Sequence, residues 1–287
     1  MRPPPPTPST APLAPGLYVV ATPIGNLRDM TLRAIDILAA ADLVLAEDTR
    51  VAAKLLSAFD LKARVERYDD HTDARRRPQI LEQLQQGARI ALISDAGTPL
   101  VSDPGYRLVC AAAEAGADVF AAPGASAALA ALAVSGLPTD RFLFAGFTPP
   151  RSAARRATLQ ELAPVRATLI LYETGPRLAE SLVDMLAVFG NRPAVVAREL
   201  TKLHETVVRG PLAELVETFS GDPPRGEIVV LVGPGTDEAV SDADADTALR
   251  EALTRCGPAE AAGEVARAFG LNRRALYRRA LELKDGA

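Results

Sequence analysis

Short apolar runs, each closed by a loop of glycine, proline and small polar residues, alternate with longer helical patterns along the first part of the chain. This alternation constrains the fold more than any other feature. Runs that are apolar on both faces suit strands covered on both sides by helices. LYVVA (17–21) leads through TPIGNLRD to a helix over about 31–41. DLVLAE (42–47) leads to a helix from Thr49, and ARIALIS (88–94) to a helix from Pro104 to about Ala115. ADVFAA (117–122) leads to an alanine-rich helix over 126–135. The pattern predicts an N-terminal α/β domain, residues 16–136, with a mainly parallel sheet.

Near SGLPTD (135–140) the rhythm changes, and a second α/β domain is expected over 137–235. RFLFAGF (141–147), ATLILYE (167–173), AVVARELT (194–201), ETVVRG (205–210) and EIVVLV (227–232) read as strands. Helices fit 152–162, 175–189 and 211–219. No helix separates AVVARELT from ETVVRG, so part of this sheet should be antiparallel. An acidic linker is expected over 236–247. A small helical extension follows over 248–287, resembling a helix-turn-helix through Gly270-Leu271-Asn272. The proline-rich start, residues 1–15, reads as a solvated, disordered tail.

At 287 residues, 48% of them apolar, the chain is long enough for two cored domains. No apolar run approaches a membrane span, and the start lacks the apolar segment of a secretory signal. Cys110 and Cys256 stand alone, which suits reduced thiols in a cytoplasmic protein. With only His71 and His204 besides, no zinc cluster is expected, and no metal. Net charge is −4 and tryptophan is absent, so any contact with nucleic acid must use local basic patches. Arg75-Arg76-Arg77, then Arg151, Arg155 and Arg156, then Arg273, Arg274, Arg278 and Arg279 are the clusters. Arg274 and Arg278 fall one helical turn apart, a spacing that suits a phosphate stripe as well as a solvated face.

Ligands of open α/β sheets bind beyond the carboxyl ends of the strands. Three loops of the first domain at that end are rich in proline and glycine: TPIGN (22–26), SDAGTPLVSDPG (94–105) and PGASA (123–127). Asp103 suits an N-cap with Pro104 at the first helical position, and Ser126 suits another cap. Gly97 and Gly105 let backbone approach a ligand closely. Good turns need the same residues, yet three such loops on one rim favour a binding site. GxGxxG and GxxxxGK[ST] are both missing, which argues against a dinucleotide fold and a P-loop. Acid–base candidates are Glu47 and Asp48 in AEDTR, beside Arg50, and Asp69, Asp70, His71 and Asp73 in YDDHTD. A cap at Asp48 or Thr49 with an Arg50–Glu47 ion pair explains the first stretch as well as chemistry does, and a polar loop with a helix cap explains the second better. His204 sits in a turn and reads as structural.

GLYVVATPIGNLRDMTLRAIDILAAADLVLAEDTR, ALISDAGTPLVSDPGYRLV, PGASAALAALAVSGLPTDRFLFAGF and ARELTKLHET together closely resemble the ribosomal RNA small subunit methyltransferase I family, within the tetrapyrrole methylase superfamily. The likeness runs in order from about Gly16 to Val232, and the C-terminal stretch is similar to that family's helical extension. It implies two α/β domains of the tetrapyrrole methylase type with a cofactor cleft between them. It further implies a cytoplasmic homodimer that uses S-adenosylmethionine for 2′-O-methylation of a cytidine in the decoding region of 16S rRNA, with either the free RNA or the small ribosomal subunit as substrate. One departure stands out. The family's Tyr-Glu-Ser/Ala-x-His-Arg stretch is YETGPR here, with Pro176 at the histidine's place.

By motif, the resemblance puts Pro23, Asp95, Gly97, Thr98, Ser102, Asp103, Ala125 and Ser126 on the cofactor rim. Asp48, Asp70 and His71, on the substrate side, are the candidates for catalysis, and the resemblance does not decide which of them acts as base. Arg50, Arg274 and Arg278 are the candidates for substrate binding. Two alternatives remain open: a methyltransferase for a small tetrapyrrole on the same scaffold, and a non-enzymatic nucleic-acid-binding regulator working through the C-terminal helices. TPIGNL and AEDTR argue against the first, and the intact loop set argues against the second.

Overall fold

The structure, a computed structural model, describes residues 9, 12–235, 242–269 and 272–285. Its first sheet holds β1 (Gly16–Val20), β2 (Leu43–Ala46), β3 (Val65–Arg67), β4 (Arg89–Ile93) and β5 (Val119–Ala122). The strands run parallel in the order β3-β2-β4-β1-β5. Between them lie α1 (Leu32–Ala40), α2 (Thr49–Ala58), α3 (Asp73–Gln85) and α4 (Tyr106–Glu114), and α5 (Ala127–Ser135) follows β5. Strand alternation divides the core in two. Tyr18, Val20, Val44 and Ala46 pack on one face with Ile35 and Leu38. Leu17, Leu43 and Leu45 pack on the other with Ile80, Leu92 and Leu108. Burial on both faces is why these strands read as unbroken apolar runs.

Two elements of this sheet have no strong signature in the sequence. β3 is an edge strand of sequence Val-Glu-Arg, only half buried, so it lacks the apolar run of its neighbours. The helix after it, α3, buries little beyond Asp73, Ile80 and Leu84.

The second sheet holds β6 (Phe142–Phe147), β7 (Thr168–Thr174), β8 (Pro193–Arg198), β9 (Thr206–Pro211) and β10 (Glu227–Val232), with α6 (Ser152–Leu162), α7 (Gly175–Phe189) and α8 (Leu212–Thr218). The order is β6-β7-β10-β8-β9. β6 and β7 are parallel and the other pairs antiparallel, as the missing helix between β8 and β9 required. One face packs on Leu178, Leu182 and Met185 of α7. The other packs on Ala128, Ala131 and Leu132 of α5 and on Ile24. α5 is apolar nearly all round, and the second sheet covers the face of Ala128, Ala131 and Leu132 while Leu129 and Val134 stay exposed.

The chain divides into two compact units, one ending at Pro234 and one starting at Gly235. The second contains α9 (Asp242–Leu253), α10 (Pro258–Phe269) and α11 (Arg273–Asp285) around a small core of Leu249, Val265, Leu276 and Ala280. Residues 242–247, expected to be linker, are already helical; 236–241 and the turn residues Gly270 and Leu271 lie outside the described residues. Residues 1–8, 10 and 11 of the expected tail also lie outside them. Leu13 corrects the rest of that expectation, because it packs against the first core, and Ala14 accepts the Tyr18 hydroxyl at 2.7 Å.

Candidate active site

Three loops at the carboxyl end of the first sheet are tied together by buried hydrogen bonds. Thr22 and Gly97 exchange a pair of backbone bonds of 2.8 and 3.1 Å. The Thr22 hydroxyl donates to Ser94 O at 3.2 Å, and the Ser94 hydroxyl donates to Gly97 O at 3.1 Å. The Thr98 hydroxyl donates to Ala125 O at 3.1 Å, fastening the third loop. Each such bond contributes about 0.5–1.5 kcal/mol, and together they hold the rim before any ligand arrives. Gly97 is at φ 83°, and a Cβ there would lie 3.2 Å from the Ile24 side chain. A left-handed backbone in so narrow a space is a position for glycine.

The loop after β4 departs from the expected cap. α4 begins at Tyr106, with Gly105 at φ 121° as its N-cap and no side-chain cap. Leu100 and Ser102 also take left-handed conformations, so the chain turns before the helix starts. Asp103 is thereby freed from capping and faces a cavity. Ser126 does stand at the N-cap of α5, although its side chain makes no capping bond.

That cavity has a volume of about 310 Å³, the lower end of the range for small-molecule sites. Asp95, Gly97, Thr98, Ser102, Asp103 and Ser126 line it from the first half of the chain. Phe147, the end of β7 at Tyr172–Thr174, Ala197, Leu200 and the start of β10 at Gly226–Val229 line it from the second. Antiparallel pairing of Glu227 with Thr174 brings those two strand ends together. The second wall was missed at the residue level, since nothing in YETG or GEIVV announces that register. Glu173 is buried there, with its carboxylate accepting the Thr148 hydroxyl at 3.1 Å and forming an ion pair with Arg177 at 3.3 Å. Pro176 stands exposed in the first turn of α7, where proline fits.

The carboxyl groups near the rim differ in character. Burial, reinforced by the charges of Glu47 and Asp95, pushes the Asp103 acid up to about 6. Burial likewise raises Glu47, with Asp95, Asp69 and Asp70 adding to the effect. Asp48 goes the other way. It caps α2 by accepting Arg50 N at 2.8 Å, and the Arg50 guanidinium clamps it at 2.6 Å, well below the usual carboxylate range. Arg50 thus pairs with Asp48 and not with Glu47.

The remaining candidates fall elsewhere. Ala125 contributes a carbonyl to the rim without lining the cavity, and Pro23 faces a neighbouring hollow. Asp70 and His71 are exposed in the turn before α3 and do not line the cavity. Arg274 and Arg278 are exposed on α11 in the second unit, and among the described residues neither has an ionic partner. Among the described residues no group of three histidine, cysteine, aspartate or glutamate side chains is placed to hold a metal ion.

The family model of tetrapyrrole (corrin/porphyrin) methylases matches residues 16–216, and that of the RsmI C-terminal HTH domain matches 239–284. A "Ribosomal RNA small subunit methyltransferase I" of Erythrobacter litoralis is 55% identical over 276 residues, 96% of this chain and 98% of that one. The protein of the same name from Mesorhizobium japonicum is 50% identical over 276 residues, 96% and 94% of the two chains. The chain belongs to the ribosomal RNA small subunit methyltransferase I family. Members share the tetrapyrrole methylase fold, and solved structures agree. A cobalt precorrin-4 methyltransferase of cobalamin biosynthesis superposes with a TM-score of 0.56 at 19% identity, over 76% of this chain and 94% of its own. Uroporphyrin-III-C-methyltransferase from Thermus thermophilus gives 0.53 at 24%, over 76% and 93%. At such identities the likeness is one of fold. In this family member, the cavity lies where the two sheets meet.

Proposed function

We propose that the protein methylates the ribose 2′-hydroxyl of a cytidine in the decoding region of 16S rRNA, with S-adenosylmethionine as donor. The single observation that carries this reading is the cavity at the junction of the two sheets, in a chain that belongs to this methyltransferase family. Its size and its mixture of apolar walls and fixed backbone groups suit an adenosyl sulfonium. Gly97 leaves the space that a Cβ would fill. The loops at Asp95–Thr98 and Ala125–Ser126 would hold the polar ends of the donor, and Ile24, Leu200 and Val229 would cover its apolar parts.

A bound donor would supply a methyl group on positively charged sulfur, a leaving group that would keep the electrons of the carbon–sulfur bond. The chain's own contribution is alignment and a place for the hydroxyl proton. Asp103 has the character for the second task, since a carboxylate raised toward neutrality takes a proton better than one clamped by arginine. Asp48, held by Arg50, is a poor acceptor, and Asp70 and His71 do not line the cavity. Asp95, Glu47 and Asp103 also place negative charge near a cationic donor. Substrate RNA would meet Arg274 and Arg278 on the C-terminal helices. A cytoplasmic homodimer is part of the same proposal, checked by light scattering.

Titration calorimetry with S-adenosylmethionine, followed by a labelled-methyl assay on small ribosomal subunits and on porphyrinoids, tests the reading. Label should appear in 2′-O-methylcytidine of 16S rRNA. Label on the porphyrinoid alone would favour the tetrapyrrole alternative, and no donor binding would favour the regulator.

A further inference from the structure

The turn between β8 and β9 carries two left-handed residues that are not glycine, Glu199 at φ 52° and Thr201 at φ 67°. Such backbone is unfavourable for a residue with a side chain and persists only where the surroundings fix it. Between the two stands Leu200, which is buried and lines the cavity assigned above to the donor.

Lys202 joins the contacts that fix the turn. Its ammonium lies 2.8 Å from the Glu199 carboxylate and 3.0 Å from that of Glu227. The Glu199 carboxylate also accepts the Glu227 backbone N–H at 3.0 Å, and the Glu199 N–H donates to Glu227 O at 3.0 Å. The Thr201 N–H donates to Glu205 at 2.6 Å. Two glycines leave room for these side chains. A Cβ on Gly226 would collide with the Glu199 carboxylate, and one on Gly25, in the loop after β1, would collide with the Lys202 stem. Lys202 thus lies against the first half of the chain while it ties the turn to the start of β10. Gly226–Val229 there line the same cavity as Leu200.

We propose that Lys202 is a positioning residue for the methyl donor, holding Leu200 and the start of β10 in place as one wall of the cavity. Lys202 does not line that cavity, so it acts through Glu199 and Glu227. A wall already in place need not be ordered when the ligand arrives, and affinity gains by the cost avoided. Global stability gains little, because Lys202 is 25% exposed and Glu227 73%. A purely electrostatic role has the opposite sign. Removing the ammonium frees negative charge beside a cationic donor, which would tighten its binding.

The inference rests on the proposed donor site, and titration of the wild type separates the two. If S-adenosylmethionine does not bind, both fall; binding that Lys202 variants leave unchanged removes this inference alone. Lys202→Met keeps the stem and loses the ammonium. Calorimetry should show Kd raised about tenfold for S-adenosylmethionine, and by the same factor for its demethylated product S-adenosylhomocysteine, whose sulfur is uncharged. With donor saturating, kcat on small subunits should stay within about threefold, and Lys202→Arg should bring Kd back to within about threefold of wild type. The urea midpoint of Lys202→Met should match that of wild type. Glu227→Gln should weaken both ligands too, and its effect should be less than additive with Lys202→Met. An unchanged Kd, tighter binding of the sulfonium alone, or a loss of affinity accompanied by a lowered urea midpoint would overturn the assignment.

Discussion

Asp48 and Asp103 both lie beyond the carboxyl ends of strands in the first sheet, and their surroundings move their acidities in opposite directions. Solvent and a guanidinium surround the first; burial and neighbouring negative charge surround the second. The consequence is testable in rate. Asp103→Asn should lower kcat by roughly 100-fold or more. In the wild type, methyl transfer should rise with pH through about 6 and then level off, because the group must be ionised to accept a proton. A profile flat from pH 5 to 8 would exclude Asp103 as the base. Stability carries the opposite sign. The folded acidity lies above the unfolded value near 4, so the folded state binds more protons between the two. Stability from this group is therefore lost as pH rises from about 4 to 6. Asp103→Asn should melt higher than wild type at pH 7.5, by about 2 °C, in a thermal scan.

Among the elements, α6 and α7 are joined by a buried ion pair. Arg155, fully buried on α6, donates to Asp184 of α7 at 2.7 Å, and Arg156 and Ser152 also donate to that carboxylate. Burial opposes the charge on Asp184, and the three donors outweigh it, leaving its acid below the usual range. Asp184→Ala strands a buried guanidinium and should cost about 3–5 kcal/mol in urea unfolding, whereas Arg155→Met with Asp184→Leu should cost far less. Equal losses would mean that the pair acts through packing alone. The same pair bears on legibility. Arg151, Arg155 and Arg156 read as a basic cluster, yet Arg155 is core. A helical sequence does not say which of two neighbouring arginines is buried where both meet an acid from another helix. Strands with apolar runs were legible, and so was the antiparallel part of the second sheet. β3 was not, because an edge strand buries too little to carry the signal.

For the whole molecule, each of the two units has its own core, so separation should leave both folded. The chain truncated after Pro234 should keep S-adenosylmethionine affinity within about threefold and bind small-subunit RNA at least about tenfold more weakly, as loss of several phosphate contacts implies. Calorimetry and filter binding measure the two; equal loss of both would show that the units do not divide the work. The sequence by itself determined the alternation of strands and helices, the loops gathered on one rim, and the family. All of these are written in consecutive residues through periodicity, turn chemistry and motif. Only the tertiary structure decided that Asp103 faces a cavity instead of capping α4, that the start of β10 completes the second wall, and that Pro23 belongs to a neighbouring hollow. Those outcomes depend on register and burial between residues far apart in the chain, and burial sets both what a cavity encloses and how strongly an acid holds its proton.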